Sequence, residues 1–357
     1  MLKKFKPLKP EKYWALVLNE GATPVEINYS SSFLNTILFE NGSRIGGGCI
    51  NCLDKPCWQY NSHEIDINVL SGFPYNNDRR VCPSDAIQVL EEGGVEIVAG
   101  KCISCGICVQ RCPSGGIKYN SEGIFAVGVM ENTDMFTQLK AQDSELQQKT
   151  MSRFKNASES VSVAKISRVW AKYFRDKFIE ISHTQADLEH VLVRNFLLNI
   201  GISNQISAIG NIDIRFDFIA TTGDFLIPGE SELVGNDILG LPRRILDDIA
   251  VLHSRYNIPK DSIIPLLILF LFPRKRSDFY EVLTDIREIT GFEVKVFPIH
   301  FLFLLNLFNV SLDSEDFLEN FIINKDTQDY GEYTKRYISD IETIDDNYGT
   351  ELYTFEK

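Results

Sequence analysis

Cys102-Ile-Ser-Cys105-Gly-Ile-Cys108-Val-Gln-Arg-Cys112-Pro113 is the stretch that decides the fold of the first third of the chain. Its spacing is C-x2-C-x2-C-x3-C-P. Two-residue loops turn three successive thiolates toward one centre, and Gly106 lets backbone N–H groups approach it. Pro113 ends the run, and the fourth cysteine points away. A second run lies upstream: Cys49-Ile-Asn-Cys52-Leu-Asp-Lys-Pro-Cys57, then Cys82-Pro83-Ser84-Asp85-Ala86-Ile87. It carries two extra residues before its third cysteine and an insertion, Trp58 to Val81, before its Cys-Pro. The match of Cys82–Ile87 to Cys112-Pro113-Ser114-Gly115-Gly116-Ile117 argues for an internal two-fold repeat. All eight cysteines lie between Cys49 and Cys112. A disulfide scaffold belongs to a short secreted chain, and this one has 357 residues. Thiols clustered in this way point to metal.

The downstream run is that of bacterial ferredoxins without departure, and over about 80 residues the chain resembles the two-cluster ferredoxin family. The resemblance implies two [4Fe–4S] clusters. Carried over residue by residue, the first takes Cys49, Cys52, Cys57 and Cys112, and the second Cys102, Cys105, Cys108 and Cys82. Structural zinc is the competing use of eight thiolates, but zinc ribbons pair C-x2-C knuckles and lack triplets followed by Cys-Pro. Metal binding also contributes folding free energy, so clusters that only hold the domain together are a further reading.

Beyond the cysteines the pattern changes. The first ~45 residues hold strand-like runs, Trp14–Leu18 and Val25–Tyr29, and an Asn41-Gly42 turn signal. Ser144 to Phe178 has helical spacing through Phe154, Val161, Ile166, Trp170 and Phe174. Asp187–Ile200 predicts an amphipathic helix striped by Leu188, Leu192, Phe196 and Ile200 and ended by Gly201. Ile206–Leu233 reads as strands, with Ile212, Ile214, Phe216 and Phe218 alternating with Asp213, Arg215 and Asp217. A helix over Leu241–Tyr256, a buried strand Ile264–Phe272, a helix Phe279–Ile289 and a strand Phe292–Pro298 follow. The predicted order is α-β-β-β-α-β-α-β.

Within it, Gly223-Asp224 suits a two-residue hairpin turn. Pairing outward from that turn sets Asp217 opposite Glu230 and Arg215 opposite Glu232, with Cβ atoms ~5 Å apart. Two opposed carboxylates repel unless a cation sits between them, and Mg2+ held by one or two carboxylates and phosphate oxygens suits the geometry. The bland alternative is a solvated hairpin face with an Arg215–Glu232 ion pair. Topology and these residues together resemble the restriction-endonuclease-like PD-(D/E)xK superfamily from about Thr184 to Ile299. That resemblance implies Asp217 and Glu230 as metal ligands, Glu189 or Glu180 as a helix acid, and DNA as a partner. Glu232 stands where the superfamily commonly has lysine, as base or second ligand. Arg243, Arg244 and Arg274-Lys275-Arg276 are basic groups within reach of a phosphate backbone. His300, in an apolar run, reads as a core residue.

Composition sets the bounds. A net charge of −13 and 44% hydrophobic content exclude a globally basic nucleic-acid-coating surface. Met1–Pro10 is basic, but no apolar run and cleavage site follow. Ile263–Phe272 and Phe301–Phe308 fall short of the ~20 residues that span a bilayer. A cytoplasmic protein without a membrane partner is expected. The predicted class is α+β and α/β multidomain: a ferredoxin-like domain with an N-terminal extension (1–125), a helical connector (126–183), a restriction-endonuclease-like αβββαβ domain (184–325) and an acidic tail (326–357). Joined, these imply an iron–sulfur protein carrying a metal-dependent DNA endonuclease, in DNA processing or anti-phage defence. The alternative is an electron-transfer subunit whose C-terminal domain docks a partner protein.

Overall fold

The computed structural model describes three short strands before residue 55, then residues 55–65, 68–89 and 95–111, three short strands to residue 139, and residues 174–208, 216–234, 237–270, 272–273, 277–307 and 310–321. Cys49, Cys52, Cys112, Asp213, Arg215, Arg274-Lys275-Arg276, the Asn41-Gly42 turn and the acidic tail lie outside the described residues. Two compact units divide the chain: residues 1–5 and 61–79 cluster with those from 182 onward, and residues 6–60 with 80–181.

The cysteine-bearing unit is built of short antiparallel pairs. Ile87–Val89 pairs with Val95–Ile97, Ile117–Lys118 with Gly128–Val129, and Ala15–Val17 with Thr137–Leu139. Pro24–Glu26 pairs with Ile37–Phe39. Val81, Ile87, Val95, Ile97, Ile103 and Ile107 are its buried core. The strands at 128–129 and 137–139 stand where a helical connector is expected. The run Ala126-Val127-Gly128-Val129 is small and β-branched, which suits a pleated partner for Ile117 better than a helix. Of the expected connector, only 174–182 is helical among the described residues.

The second unit follows the predicted order. Its helices are α1 (Leu188–Asn199), α2 (Leu241–Tyr256), α3 (Phe279–Thr290), α4 (Ile299–Leu307) and α5 (Ser314–Glu319). Its strands are β1 (Ser203–Ile206), β2 (Phe218–Thr222), β3 (Phe225–Glu232), β4 (Leu266–Leu269) and β5 (Lys295–Pro298). They form one mixed sheet in the order β5-β4-β3-β2-β1. The β1-β2-β3 side is antiparallel, with a two-residue turn between β2 and β3, and the β3-β4-β5 side is parallel, as its helical crossovers demand. β4 and β5 are buried throughout; β4 is a continuous apolar run, while β5 opens on buried Lys295, whose ammonium is held by Glu293 and the Asn320 carbonyl. α3 ends at Gly291, φ +79, a left-handed C-cap that glycine takes without strain.

Two expectations are corrected. α1 is not amphipathic: every residue from Val191 to Leu198 is buried, because the helix packs on the sheet and on α4 together. The insertion between Cys57 and Cys82 is not confined to the cysteine unit. Phe73 stacks on Phe216 at 5.3 Å, Asn76 N–H donates to the Ile206 carbonyl, and Ala208 N–H donates to that of Pro74. The segment thereby covers the free edge of β1, where unpaired backbone groups would otherwise face solvent.

Candidate functional site

In the cysteine unit, Cys82, Cys102, Cys105 and Cys108 line one pocket with Ser84, Ala86, Ile87, Ile97, Ile103 and Gly106. Cys57 belongs to the same apolar cluster as Cys108. The loops turn inward through left-handed residues: Ser104 (φ +58), Gly106 (+74) and Asp85 (+54). Backbone N–H groups already point at sulfur, Ala86 N at 3.1 Å from Cys82 Sγ and Ser104 N at 3.4 Å from Cys102 Sγ. Burial raises the Cys82 thiol. It pushes Cys105 and Cys108 well above the usual range, and neighbouring cysteines push them further. Thiols that resist ionisation together are stable as thiolates only around a positive centre. The donor set fits an iron–sulfur cluster. Among the described residues no three His, Cys, Asp or Glu side chains gather closely enough for a single metal ion. A cubane spreads its thiolates more widely than one ion does.

In the other unit, the hairpin turn is Gly223-Asp224, with Gly223 at φ +56 and Thr222 paired with Phe225. Phe218 faces Gly229, and Asp217 N–H donates to the Gly229 carbonyl. Strand pairing ends at that step, and Asp217 follows it next to the two residues that flank Glu230. A Cβ at Gly229 would lie 1.9 Å from the Phe218 ring, so only glycine allows this approach. Asp217 Oδ2 accepts from Ser231 N–H at 2.8 Å, and Oδ1 lies 3.4 Å from His190 Nε2. Glu189, on α1, accepts from Leu233 N–H at 2.9 Å. Burial raises its carboxyl, opposed by hydrogen bonds from Ser231 and Leu233. Glu180, in the other unit, forms an exposed pair with Lys177.

Glu230 is 3% exposed, and its Oε1 has no hydrogen-bond partner. Burial, then the charges of Asp217 and Asp248, push it up to about 9 against the opposing Arg244. Arg244, from the first turn of α2, makes a three-way clasp. Its Nε donates to Glu230 at 2.8 Å, Nη2 to Glu232 at 3.1 Å and Nη1 to Asp237 at 2.9 Å. Glu232 is thus held by Arg244, and Arg244 is committed to carboxylates. Arg243 is exposed. Sequence spacing does not single out His190, because only the packing of α1 against the hairpin brings it to Asp217. The signal for Arg244 is subtler: a helix returning after β3 places its first turn at the end of that strand.

Comparison with known proteins adds three findings. Residues 95–118 match the family described as "4Fe-4S binding domain", so the chain carries a [4Fe–4S]-binding domain. Over 92 residues, 26% of its length, the chain is 30% identical to the formate dehydrogenase iron-sulfur subunit of Wolinella succinogenes. That alignment spans 36% of the subunit. A solved structure of restriction endonuclease FokI is 14% identical at a TM-score of 0.34, with 54% of this chain and 38% of that chain covered. A superposition at that score does not establish a shared fold. Among the described residues no helix is long and apolar enough to cross a membrane.

Proposed function

We propose that the protein joins a two-cluster iron–sulfur domain to a Mg2+-dependent, restriction-endonuclease-like domain that acts on DNA. The observation that carries the second half is the hairpin. Asp217 bonds to both neighbours of Glu230, donating its N–H to the Gly229 carbonyl and accepting from Ser231 N–H, and a carboxylate oxygen of Glu230 is buried with no partner. An α-β-β-β-α-β order around that hairpin supports the same reading. Mg2+ needs only one or two carboxylates, with waters and phosphate oxygens filling the rest. When bound, it supplies Lewis acidity at a phosphodiester and lowers the pKa of attacking water. The chain's own residues orient it: Ser231 and His190 fix Asp217, while Leu233 fixes Glu189 near both. Glu232 serves as base or second ligand once released from Arg244.

For the first half, the pocket of Cys82 with Cys102, Cys105 and Cys108 supports a cluster ligated across the two motifs. Cys49, Cys52, Cys57 and Cys112 hold the other. The role of these clusters is single-electron transfer or structural support, and a DNA-processing or anti-phage setting follows from the pairing of domains. The test is cleavage of plasmid DNA by anaerobically purified protein with Mg2+ or Mn2+. Loss of cleavage in Asp217→Asn is expected. A wild-type protein that neither binds these ions nor cuts DNA would sink the nuclease.

A second reading is an electron-transfer subunit whose C-terminal unit docks a partner protein. Two observations favour it: the 30% likeness to an iron–sulfur subunit, and the engagement of Glu230 and Glu232 by Arg244. Reversible cycling of the clusters near ferredoxin potentials, with no ion-dependent cleavage, would give it first place.

A further inference from the structure

We propose that Arg244 is a built-in counter-cation of the Asp217/Glu230 site, which a divalent ion must displace from Glu230 in order to bind. The inference rests on the cation-site reading above and deepens it. Three carboxylates from two strand positions and a loop converge on one guanidinium, which spends its Nε, Nη1 and Nη2 on Glu230, Asp237 and Glu232. A planar fork holds such an arrangement where an ammonium cannot. Charge at the site is unbalanced: one positive group faces Glu230, Glu232 and Asp237.

Glu230 shows what is missing. Its Oε2 is held by Arg244 while its Oε1 is buried with no donor, so the guanidinium satisfies half of the carboxylate. A doubly charged ion between Asp217 and Glu230 would satisfy that oxygen. It would also repel the guanidinium. Arg244 need not leave the surface to yield. Its side chain is 41% exposed and already touches Asp237, whose side chain is 66% exposed. Rotation toward Asp237 releases Glu230 and Glu232 while keeping one ion pair. Metal-free, the clasp stabilises the hairpin end; metal-bound, the freed guanidinium faces solvent beside the ion, where an anionic backbone would meet it.

The experiment is a Mn2+ titration of the full chain, purified anaerobically and stripped of divalent ions, read by the electron paramagnetic signal of free Mn2+. Arg244→Gln removes the competing charge and should bind Mn2+ about tenfold more tightly or better, since wild type must break a charge-assisted hydrogen bond first. Arg244→Lys keeps the charge without the fork and should fall between the two. If Arg244→Gln does not fold, Arg244→Lys alone decides: binding no tighter than wild type overturns the inference. Equal or weaker Mn2+ affinity in Arg244→Gln overturns it as well. In either case, wild-type binding that disappears in Asp217→Asn leaves the cation-site reading standing. Absence of Mn2+ binding in wild type and both Arg244 variants overturns the inference and the reading together.

Discussion

Glu230 and His300 are both buried ionisable residues, and burial pushes them in opposite directions. His300, 3% exposed on α4, is pushed down to about 3 by burial alone. Unfolded, it titrates near 6.5. Below 6.5 the unfolded chain therefore binds a proton that the native state refuses. This contribution to stability is present above 6.5 and lost as pH falls toward 3, by about 1.4 kcal/mol per pH unit. Glu230 has the opposite sign. Its pKa is raised from 4.5 to about 9, so its contribution is full below 4.5 and declines as pH rises through 9. Denaturant melts across pH should show a flatter acid limb in His300→Gln and a flatter limb from 4.5 to 9 in Glu230→Gln. An unchanged acid limb in His300→Gln would remove the buried neutral imidazole from the account. Of the two, His300 is legible from its apolar run. The state of Glu230 is not, because Asp248 and Arg244 reach it from a helix that the strand pattern cannot place.

At the level of elements, the hairpin and the helices around it follow from local chemistry. Gly223-Asp224 fixes the turn, the turn fixes the register, and the register runs out from Thr222 opposite Phe225 to Phe218 opposite Gly229. Boundaries of α2 agree with the apolar spacing, while β4 pairs only over the middle of its expected strand and β5 only over the last four residues of its own. Two features need tertiary contact. Gly229 looks like a poor strand residue until the Phe218 ring is seen to fill its place. Gly229→Ala should cost about 1–3 kcal/mol or more, since backbone and a ring must both move. The insertion after Cys57 carries no strand signal, yet its residues 73–76 cover the edge of β1. Phe73→Ala should destabilise the C-terminal unit by about 3–5 kcal/mol, measured by denaturant melting, because a 4%-exposed ring leaves a cavity against Phe216. No residue of the thiol pocket contributes to that contact. A melt indifferent to this substitution would mean that the segment only lies against the sheet without supporting it.

For the molecule as a whole, the cysteine pattern is legible in the sequence because its information is local: thiols two residues apart must share a centre. Which thiol joins which centre is not local. Cys82 belongs by sequence to the upstream motif, yet it shares a pocket with Cys102, Cys105 and Cys108. Two-cluster ligation predicts about eight iron and eight sulfide in anaerobically purified protein. Zinc in place of iron, with no charge-transfer absorbance, would end that reading. The sharper test is Cys82→Ala. Removing one of four thiolates should convert or release the cluster of the downstream triplet and roughly halve the iron, while the cluster of Cys49, Cys52, Cys57 and Cys112 persists. Ala86 N–H, which donates to the Cys82 sulfur, and the Ser84 hydroxyl, which shares a hydrogen bond with it, lose their partner in the same variant. Cys82→Ser keeps an acceptor at that position and separates the two effects. If iron falls and the downstream cluster's signal changes in both variants, ligation is the cause. If only Cys82→Ala loses it, the hydrogen bonds hold the loop and another group ligates. If the upstream cluster is lost instead, the insertion has rewired the pairing, and Cys82 serves the motif to which it belongs in sequence.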